Sequence, residues 1–189
     1  MTLKGTQTEK NLLHSFAGES QARNRYTFFA SQAKKEGYEH VAAVFEETAN
    51  QEKEHAKRFF RFLEGGIAEI TATFPAGVIG TTAENLKAAA EGEHEEWAEA
   101  YPQFAEVAKK EGFPEIADAW LAISIAEKQH EARYLGLLKS IENGTTFKRE
   151  GVSWHCRNCG FVVVAVAAPE KCRACLHPQS YFQILAENW

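Results

Sequence analysis

An internal repeat is the feature that most constrains how this 189-residue chain can fold. Residues 50–58, NQEKEHAKR, align without a gap with residues 125–133, IAEKQHEAR, at an offset of 75. Other positions share their residue type at the same offset: Glu52 and Glu127, His55 and His130, Tyr26 and Tyr101, and residues 34–37 and 109–112. Because a repeat adds the same supersecondary unit twice, the main domain should consist of two similar halves, each with one Glu-x-x-His motif.

Apolar residues spaced three and four apart predict two long helices in the first copy. The first helix should begin at the capping box Thr6-x-x-Glu9 and run from about 7 to 36, because Gly37 follows. The second should continue to Gly65-Gly66. A turn of only one or two residues separates these helices, so they should form an antiparallel hairpin.

The second copy predicts a matching hairpin. Its first helix should begin at the capping box Thr81-x-x-Glu84 and end at Gly112. The last helix should run from Pro114, a residue suited to a first helical position, to Asn143-Gly144.

The segment that joins the two hairpins, residues 65–80, is long enough to cross the whole bundle. A helix of about 28 residues is roughly 42 Å long, whereas 16 extended residues span up to about 53 Å. The third helix can therefore start parallel to the second. One long crossover is typical of the ferritin-like topology, so we predict an all-α four-helix bundle of that class.

One added residue distinguishes the third helix from the first. Glu19 lies seven residues before Tyr26, but its counterpart Glu93 lies eight before Tyr101, and Pro102 follows directly. A proline inside a helix lacks a backbone donor, and a single inserted residue is typical of a π-bulge, a feature frequent at functional sites. We therefore predict a π-bulge within residues 94–104.

Acidic residues and histidines occupy inner positions of the predicted helices, where leucine and phenylalanine are expected. They are Glu19, Glu52, His55, Glu93, Glu127 and His130, with Glu96 one turn beyond Glu93. Removing a carboxylate from water costs several kcal/mol, and a small domain has only about 5–15 kcal/mol of stability. Arg23 is the only cation on the same stripes. Two divalent metal ions would supply the missing positive charge.

The arrangement matches the pattern of di-metal carboxylate bundles, in which two helices each give one Glu and the other two each give Glu-x-x-His. A single Glu-x-x-His would more often be a solvated helix face, but six positions in phase on four helices favour a metal site. Oxygen and imidazole ligands suit iron or manganese, and zinc binds the same ligand types.

The roles of three further residues stay open from the sequence alone. Glu96 exceeds the basic pattern and is either a ligand or a surface charge in the acidic run EGEHEE, whose neighbours His94, Glu95 and Glu99 are expected at the surface. Tyr26 and Tyr101 either hydrogen-bond ligand carboxylates or pack as core aromatics.

All four cysteines fall in the last part of the chain, as Cys156-x-x-Cys159 and Cys172-x-x-Cys175. Two such pairs predict a tetrahedral four-thiolate metal site, for which zinc and iron are both suitable. His155 and His177 are then expected at the surface.

The helical pattern stops after Gly144, so we expect a bundle over 1–146 and a small cysteine domain over 147–189.

The net charge of −5, with acids and bases interspersed, argues against nucleic acid or an anionic membrane as a partner. No stretch of about 18 apolar residues and no signal-like N-terminus occurs, so we expect a cytoplasmic, soluble protein.

Taken together, the segments FAGESQARNRY, EKEHAKR, GEHEEW, EKQH, CRNCG and CRAC resemble rubrerythrin, a ferritin-like di-iron protein with a C-terminal rubredoxin-like domain, over essentially the whole chain. The resemblance implies that all seven inner residues, Glu96 included, bind two irons, that Glu52 and Glu127 bridge them, and that the four cysteines bind one mononuclear iron. It also implies that one iron exchanges Glu96 for His55 when the centre is reduced. The catalytic set it implies consists of these seven residues with Tyr26 and Tyr101.

The resemblance further implies a peroxidase that reduces hydrogen peroxide, or oxygen, with electrons relayed through the cysteine-bound iron. The donor would be an NAD(P)H-dependent reductase or rubredoxin, and the protein would be a homodimer. Two competing functions are a ferroxidase that stores iron and a structural protein with zinc or two manganese ions. The chain departs from the family in its apolar loop FVVVAVAAPEK and in Arg173, on the surface where a reductase would dock.

Overall fold

The computed structural model describes residues 2–187 and contains the four predicted long helices. The helical elements are α1 (Gln7–Lys35), α2 (Glu39–Phe60), α3 (Thr82–Glu95), a π segment (Glu96–Ala100), α4 (Tyr101–Lys110) and α5 (Pro114–Glu142). The π segment joins α3 to α4 without a break, so these three form the third long helix. Within the described range, no helix is both long and apolar enough to cross a lipid bilayer.

The hairpin turns of the two copies have the same geometry. Gly37 and Gly112 adopt φ angles of 81° and 87°, a left-handed conformation that favours glycine. The next residue in each copy donates its N–H back to a carbonyl five positions earlier, at 2.8 Å for both Tyr38 and Phe113. This is the Schellman pattern, and its recurrence shows that the repeat in sequence is also a repeat in structure.

Both predicted N-caps form, but only the one at Thr81 is a complete capping box, because the Glu9 carboxylate accepts from the Gly5 N–H at 2.7 Å instead of from Thr6. Thr6 Oγ1 accepts from the Glu9 N–H at 3.1 Å, and Thr81 and Glu84 cap each other in both directions. The end of α2, however, was predicted wrongly, because the helix stops at Phe60 rather than at Gly65-Gly66. After Phe60 the backbone forms short-range turns, in which the N–H groups of Phe62 and Leu63 donate to carbonyls three residues earlier. The Glu64 carboxylate then accepts hydrogen bonds from Thr2 and Leu3. Packing against this N-terminal segment pulls the chain away from the helix axis.

The crossover between α2 and α3 runs along α1. Its residues 69–71 lie beside the start of α1, its Phe74 ring contacts His14 at 5.0 Å, and Val78 and Ile79 lie beside residues 21–28. The Thr82 N–H at the start of α3 donates to Glu36, at the end of α1. Helix α3 therefore begins at the same end of the bundle as α2 and runs parallel to it, which confirms the ferritin-like topology.

Two apolar clusters occupy the bundle interior on either side of a polar layer. One contains Tyr26, Phe45 and Tyr134, and the other contains Phe59 and Trp120. On each long helix the predicted metal-binding positions fall between the residues of these two clusters. Dense packing above and below the polar layer therefore fixes the spacing of the four helices around it.

The C-terminal domain is a three-stranded antiparallel sheet of β1 (Ser153–Cys156), β2 (Val162–Val164) and β3 (Phe182–Ile184), in the order β2-β1-β3. Its core contains Trp154 and Phe182 together with two of the cysteines. The domain contacts the start of α2, where His40 Nδ1 lies 3.1 Å from Gln183 Oε1 and Tyr38 stacks on Phe147.

Candidate metal centres

Six of the seven predicted bundle ligands meet in the polar layer. Helix α1 supplies Glu19, α2 supplies Glu52 and His55, α3 supplies Glu93, and α5 supplies Glu127 and His130. All are buried except His55, whose side chain keeps 16% of its surface exposed. The Glu-x-x-His spacing places each Glu and its His on the same face of their helix.

The six residues form two overlapping groups of four. Glu19 and His55 complete one group, Glu93 and His130 complete the other, and Glu52 and Glu127 belong to both. Within each group, donor atoms of all four residues lie within 4.8 Å of one another. Two sites that share two carboxylates are the arrangement needed for a pair of metal ions with bridging glutamates.

Most of the potential metal-donor atoms face each other without forming hydrogen bonds, the exception being His55 Nδ1 with Glu52 Oε2 at 2.9 Å, and this fits a pair of cations. Buried atoms with no hydrogen-bond partner in the described chain include Glu19 Oε2, Glu52 Oε1, Glu93 Oε2, both Glu127 oxygens and His130 Nδ1. His130 Nδ1 lies only 2.7 Å from Glu127 Oε2, yet the two atoms lack hydrogen-bond geometry. Buried polar atoms are normally satisfied, so these point to an ion at their common centre.

Without metal, the layer is electrostatically strained. Burial raises the pKa of Glu19 and Glu93 far above the usual range, and the charges of neighbouring glutamates add to this effect. Burial opposes protonation of His130, but its contacts with Glu127, Glu52 and Glu93 outweigh burial and raise its pKa to about 12.

Contacts within the polar layer also shift the pKa values of Glu52 and His55. Burial opposes ionisation of Glu52, but contacts with the two imidazoles lower its pKa to about 2. The pKa of His55 is likewise raised, against burial, by Glu127, Glu19 and Glu52. Arg23, the predicted counter-ion, makes no ion pair with these residues within 2–187.

The two tyrosines of the repeat hydrogen-bond carboxylates of the opposite copy. Tyr26 OH donates to Glu93 Oε1 and Tyr101 OH donates to Glu19 Oε1, both at 2.6 Å. Each contact leaves the second oxygen of its glutamate free to bind a metal ion, so the tyrosines orient the two terminal carboxylates.

The predicted π-bulge is confirmed in the segment Glu96–Ala100, where the Tyr101 N–H donates to the Glu96 carbonyl five residues earlier. The Glu96 side chain is partly buried but belongs to neither group of four. A methyl group at Gly18 would lie 3.7 Å from Glu96 Oε1 and 3.8 Å from the Phe74 ring. Burial, together with the charges of Glu19 and Glu127, raises the pKa of Glu96. Its neighbours His94, Glu95 and Glu99 are exposed.

Sequence reasoning missed Gln51, which orients His130. His130 Nε2–H donates to Gln51 Oε1 at 3.0 Å, so Nδ1 is left to face the carboxylates. Metal-binding histidines almost always use their second nitrogen in this way. At the offset of 75 the equivalent residue is Ala126, and within residues 2–187 no side chain accepts from His55 Nε2. The two histidines are therefore anchored unequally.

We expect Gln51→Ala to weaken metal binding in the group that contains His130 by about 10–100-fold, because the imidazole loses its orienting partner. Competition titration of the metal-free protein with Fe²⁺ or Zn²⁺ measures this affinity. Asn50→Ala is the matched control, since Asn50 is exposed and bonds only to its own helix. Equal affinities in both variants would contradict the role of Gln51.

The four cysteines also converge. Sγ atoms of Cys156 and Cys175 are 3.8 Å apart, those of Cys159 and Cys172 are 3.6 Å apart, and none forms a disulfide. Metal–sulfur bonds of about 2.3 Å in a tetrahedron require sulfur separations of about 3.8 Å. A hydrogen bond from the backbone N–H of His177 lowers the pKa of the Cys175 thiol to about 6. The Phe161 backbone N–H acts in the same direction on Cys159, but hydrogen bonds with the other thiols outweigh it and raise the pKa of Cys159 to about 12.

Comparison with known proteins decides the family. A family model described as rubrerythrin matches residues 10–138, and one described as the rubrerythrin rubredoxin-like domain matches residues 154–183. This chain belongs to the rubrerythrin family. Rubrerythrin of Porphyromonas gingivalis is 62% identical over 189 residues, which cover 100% of this chain and 94% of the relative. Rubrerythrin of Nitratidesulfovibrio vulgaris is 53% identical and is covered to 99%, again with 100% of this chain.

Solved structures agree with this assignment. A structure of nigerythrin in a mixed-valence state has a TM-score of 0.66 at 30% identity, and the match covers 97% of this chain and 88% of that one. Rubrerythrins are oxidoreductases, and the residues present here fit the family's carboxylate-bridged di-iron site and its four-cysteine iron site.

The unusual apolar loop lies on the surface of the rubredoxin-like domain. Val162, Val164 and Val166 are exposed on or beside β2, which is an edge strand of the sheet. Leu176 adopts a φ of 64° in the second cysteine knuckle, where the first knuckle has Gly160 at 79°. These departures leave the positions of all four cysteines intact.

Proposed function

We propose that this protein is a di-iron peroxidase that reduces hydrogen peroxide according to H₂O₂ + 2e⁻ + 2H⁺ → 2H₂O. The observation that carries the proposal is the sharing of Glu52 and Glu127 between two groups of four ligands. Glu19 and His55 complete the ligands of one iron, and Glu93 and His130 complete those of the other. When bound, two ferrous ions supply both electrons needed to cleave the O–O bond in one event.

The chain's own residues prepare the site for this reaction. The aromatic residues of the two apolar clusters exclude bulk water from above and below the polar layer. Tyr26 and Tyr101 hold the terminal glutamates in place, and their hydroxyl oxygens lie 2.6 Å from the carboxylate oxygens to which they donate. This supports a role for both tyrosines in keeping protons close to the reacting oxygens.

We also assign Glu96 as a seventh ligand that alternates with His55. Three observations support this assignment. Glu96 lies outside the two groups, burial and the nearby charges of Glu19 and Glu127 raise the pKa of its carboxyl, and His55 lacks the anchor that Gln51 gives to His130. A ligand with a free second nitrogen can move more easily than one whose second nitrogen is held.

Electrons would return singly through the iron bound by Cys156, Cys159, Cys172 and Cys175. Cys159 is exposed, which supports electron entry at this edge from an NAD(P)H-dependent reductase or from rubredoxin. We propose residues 1–146 as the di-iron domain and 147–189 as the electron-transfer domain, acting in the cytoplasm, where thiolates stay reduced.

A homodimer would shorten the path between the two centres. Within one chain the cysteine domain contacts α2 at His40, twelve residues before Glu52. That separation is about 18 Å along a helix. We therefore propose that the cysteine domain of a second copy lies closer to the di-iron site.

Peroxide-driven turnover with an electron donor tests the function. We expect Cys159→Ser to reduce steady turnover by at least about tenfold, because the relay loses an iron ligand while the bundle keeps both irons. Glu150→Ala is the control, since Glu150 is exposed in the same domain but lies outside both cysteine pairs. The intact four-cysteine iron centre should also be red when oxidised, whereas a zinc site would be colourless. Steady turnover without the cysteine site, or growth of iron cores, would favour ferroxidase activity and defeat the proposal.

A further inference from the structure

Glu131 on α5 makes two contacts with the opposite helix. Its Oε2 accepts from Trp97 Nε1–H at 2.6 Å, and its Oε1 lies 2.9 Å from His94 Nδ1. The Trp97 ring is held further by the edge of the His94 ring at 5.2 Å and by Lys128 Nζ at 4.7 Å. The Glu131 side chain is only 17% exposed, so its contacts compete little with water. We call Glu131, Trp97 and His94 the Glu131 clamp.

The Glu131 clamp contacts residues on both sides of Glu96, the first residue of the π segment. His94 belongs to the last turn of α3, Trp97 belongs to the π segment, and Glu96 lies between them. A π turn is rare because its geometry is less stable than that of an α turn. Pro102 weakens this region further, since it has no N–H to donate. An external contact is therefore needed to keep this turn in one conformation.

The first copy of the repeat provides an internal comparison. At the offset of 75, the counterpart of Glu131 is Ala56. At the offset of 74 that pairs Glu93 with Glu19, His94 and Trp97 correspond to Ser20 and Arg23. Helix α1 is unbroken through this region. The clamp thus occurs only in the copy that contains the added residue.

We propose that Glu131 is a positioning residue that holds the π segment in its wide-turn form and so fixes the backbone of Glu96 beside the bimetallic site. Only the Glu96 side chain then moves, and its backbone stays in place. The part of this inference that concerns Glu96 as a ligand rests on the proposed function. The part that concerns the conformation of the π segment does not.

Amide hydrogen exchange of the metal-free protein tests the clamp independently of any reaction. We expect Glu131→Ala to speed exchange of residues 94–104 by about tenfold or more, because a hydrogen bond to a charged acceptor is lost. Glu131→Gln should give a smaller increase, since an amide oxygen can still accept from Trp97. Peptides from α1 should exchange unchanged. Should Glu131→Ala fail to fold, Trp97→Phe keeps the ring and removes only the N–H donor.

Glu47→Ala is the matched control for α5. It removes a carboxylate that bonds Arg133 at 3.0 and 3.2 Å, two residues beyond Glu131 and away from the π segment. Its exchange in residues 94–104 should equal that of the unchanged protein. Unchanged exchange in Glu131→Ala, or an equal increase in Glu47→Ala, would overturn the clamp.

A second measurement tests the consequence for Glu96. In iron-loaded protein with two irons per bundle, we expect kcat for peroxide to fall about tenfold in Glu131→Ala, with partial rescue in Glu131→Gln. The control for activity is Glu115→Ala, which removes an exposed carboxylate from the same helix and should leave kcat unchanged. Faster exchange together with unchanged kcat would show that the clamp is only structural and would overturn its positioning role. If the unchanged protein has no peroxidase activity, the proposed function fails, while the exchange result still decides the clamp.

Discussion

Replacement of Glu52 by alanine is expected to empty both positions of the bimetallic site at once. Glu52 belongs to both groups of four donors, so each metal ion loses a ligand. Loss of a residue that only orients a ligand costs about 10–100-fold in metal affinity, and loss of a shared ligand should cost more than about 100-fold. Metal analysis of purified protein should find the bundle without iron and peroxide turnover lost with it.

The cysteine-bound iron is the internal reference in this experiment, because its red colour should persist in Glu52→Ala. Glu54→Ala is the matched control, since Glu54 lies on the same helix but is exposed and paired with Lys57. It should retain both bundle irons. Two irons per bundle in Glu52→Ala would contradict the assignment of Glu52 as a bridging ligand.

Metal-free protein is expected to lose stability as the pH rises from about 5.5 to about 8.5. Burial raises the pKa of Glu19 and Glu93, so the folded state keeps protons that the unfolded chain has already released. The raised pKa of His130, about 12, acts in the same direction above the unfolded value near 6.5. Each such proton makes unfolding easier by about 1.4 kcal/mol per pH unit.

The sign follows from the linkage between proton binding and folding. A group whose pKa is raised on folding stabilises the protein fully below its unfolded pKa, and this stabilisation is lost as the pH approaches the folded pKa. Glu52 is the exception, because its pKa of about 2 matters only at pH values below about 4.5. Iron-loaded protein should show the opposite trend, since metal binding requires deprotonated ligands.

Denaturant unfolding at several pH values, followed by circular dichroism, measures this dependence. The variant Glu93→Gln removes one titrating carboxyl and should reduce the slope by up to about 1.4 kcal/mol per pH unit. Glu91→Gln is the control on the same helix, because Glu91 is exposed. A metal-free protein equally stable at both ends of the range would refute the electrostatic strain described for the polar layer.

The repeat and the helical spacing were enough to predict most of the fold and the ligand layer. Buried Glu-x-x-His pairs can be recognised in the sequence because they interrupt the apolar pattern of their helices. The π segment was predictable for a different reason, since the added residue before Tyr101 shifts the second copy of the repeat relative to the first. Caps and glycine turns were also predictable, since their geometry depends on a few neighbouring residues.

Features that depend on contacts between helices could not be predicted in this way. Gln51 and Glu131 resemble ordinary surface residues of their helices until the partner helix brings His130 and Trp97 to them. The early end of α2 likewise coincides with hydrogen bonds between Glu64 and the N-terminal segment, a contact between distant parts of the sequence.

The sharing of ligands between the two copies has a consequence for assembly. The hairpin of α1 and α2 provides three residues for one metal ion and a single carboxylate for the other, and the second hairpin does the reverse. Each metal ion would thus be bound by three residues of one hairpin and by one carboxylate of the other hairpin. The two bound metal ions therefore cross-link the two hairpins. Two identical hairpins on separate chains could associate and build the same bimetallic centre that this bundle forms within a single chain.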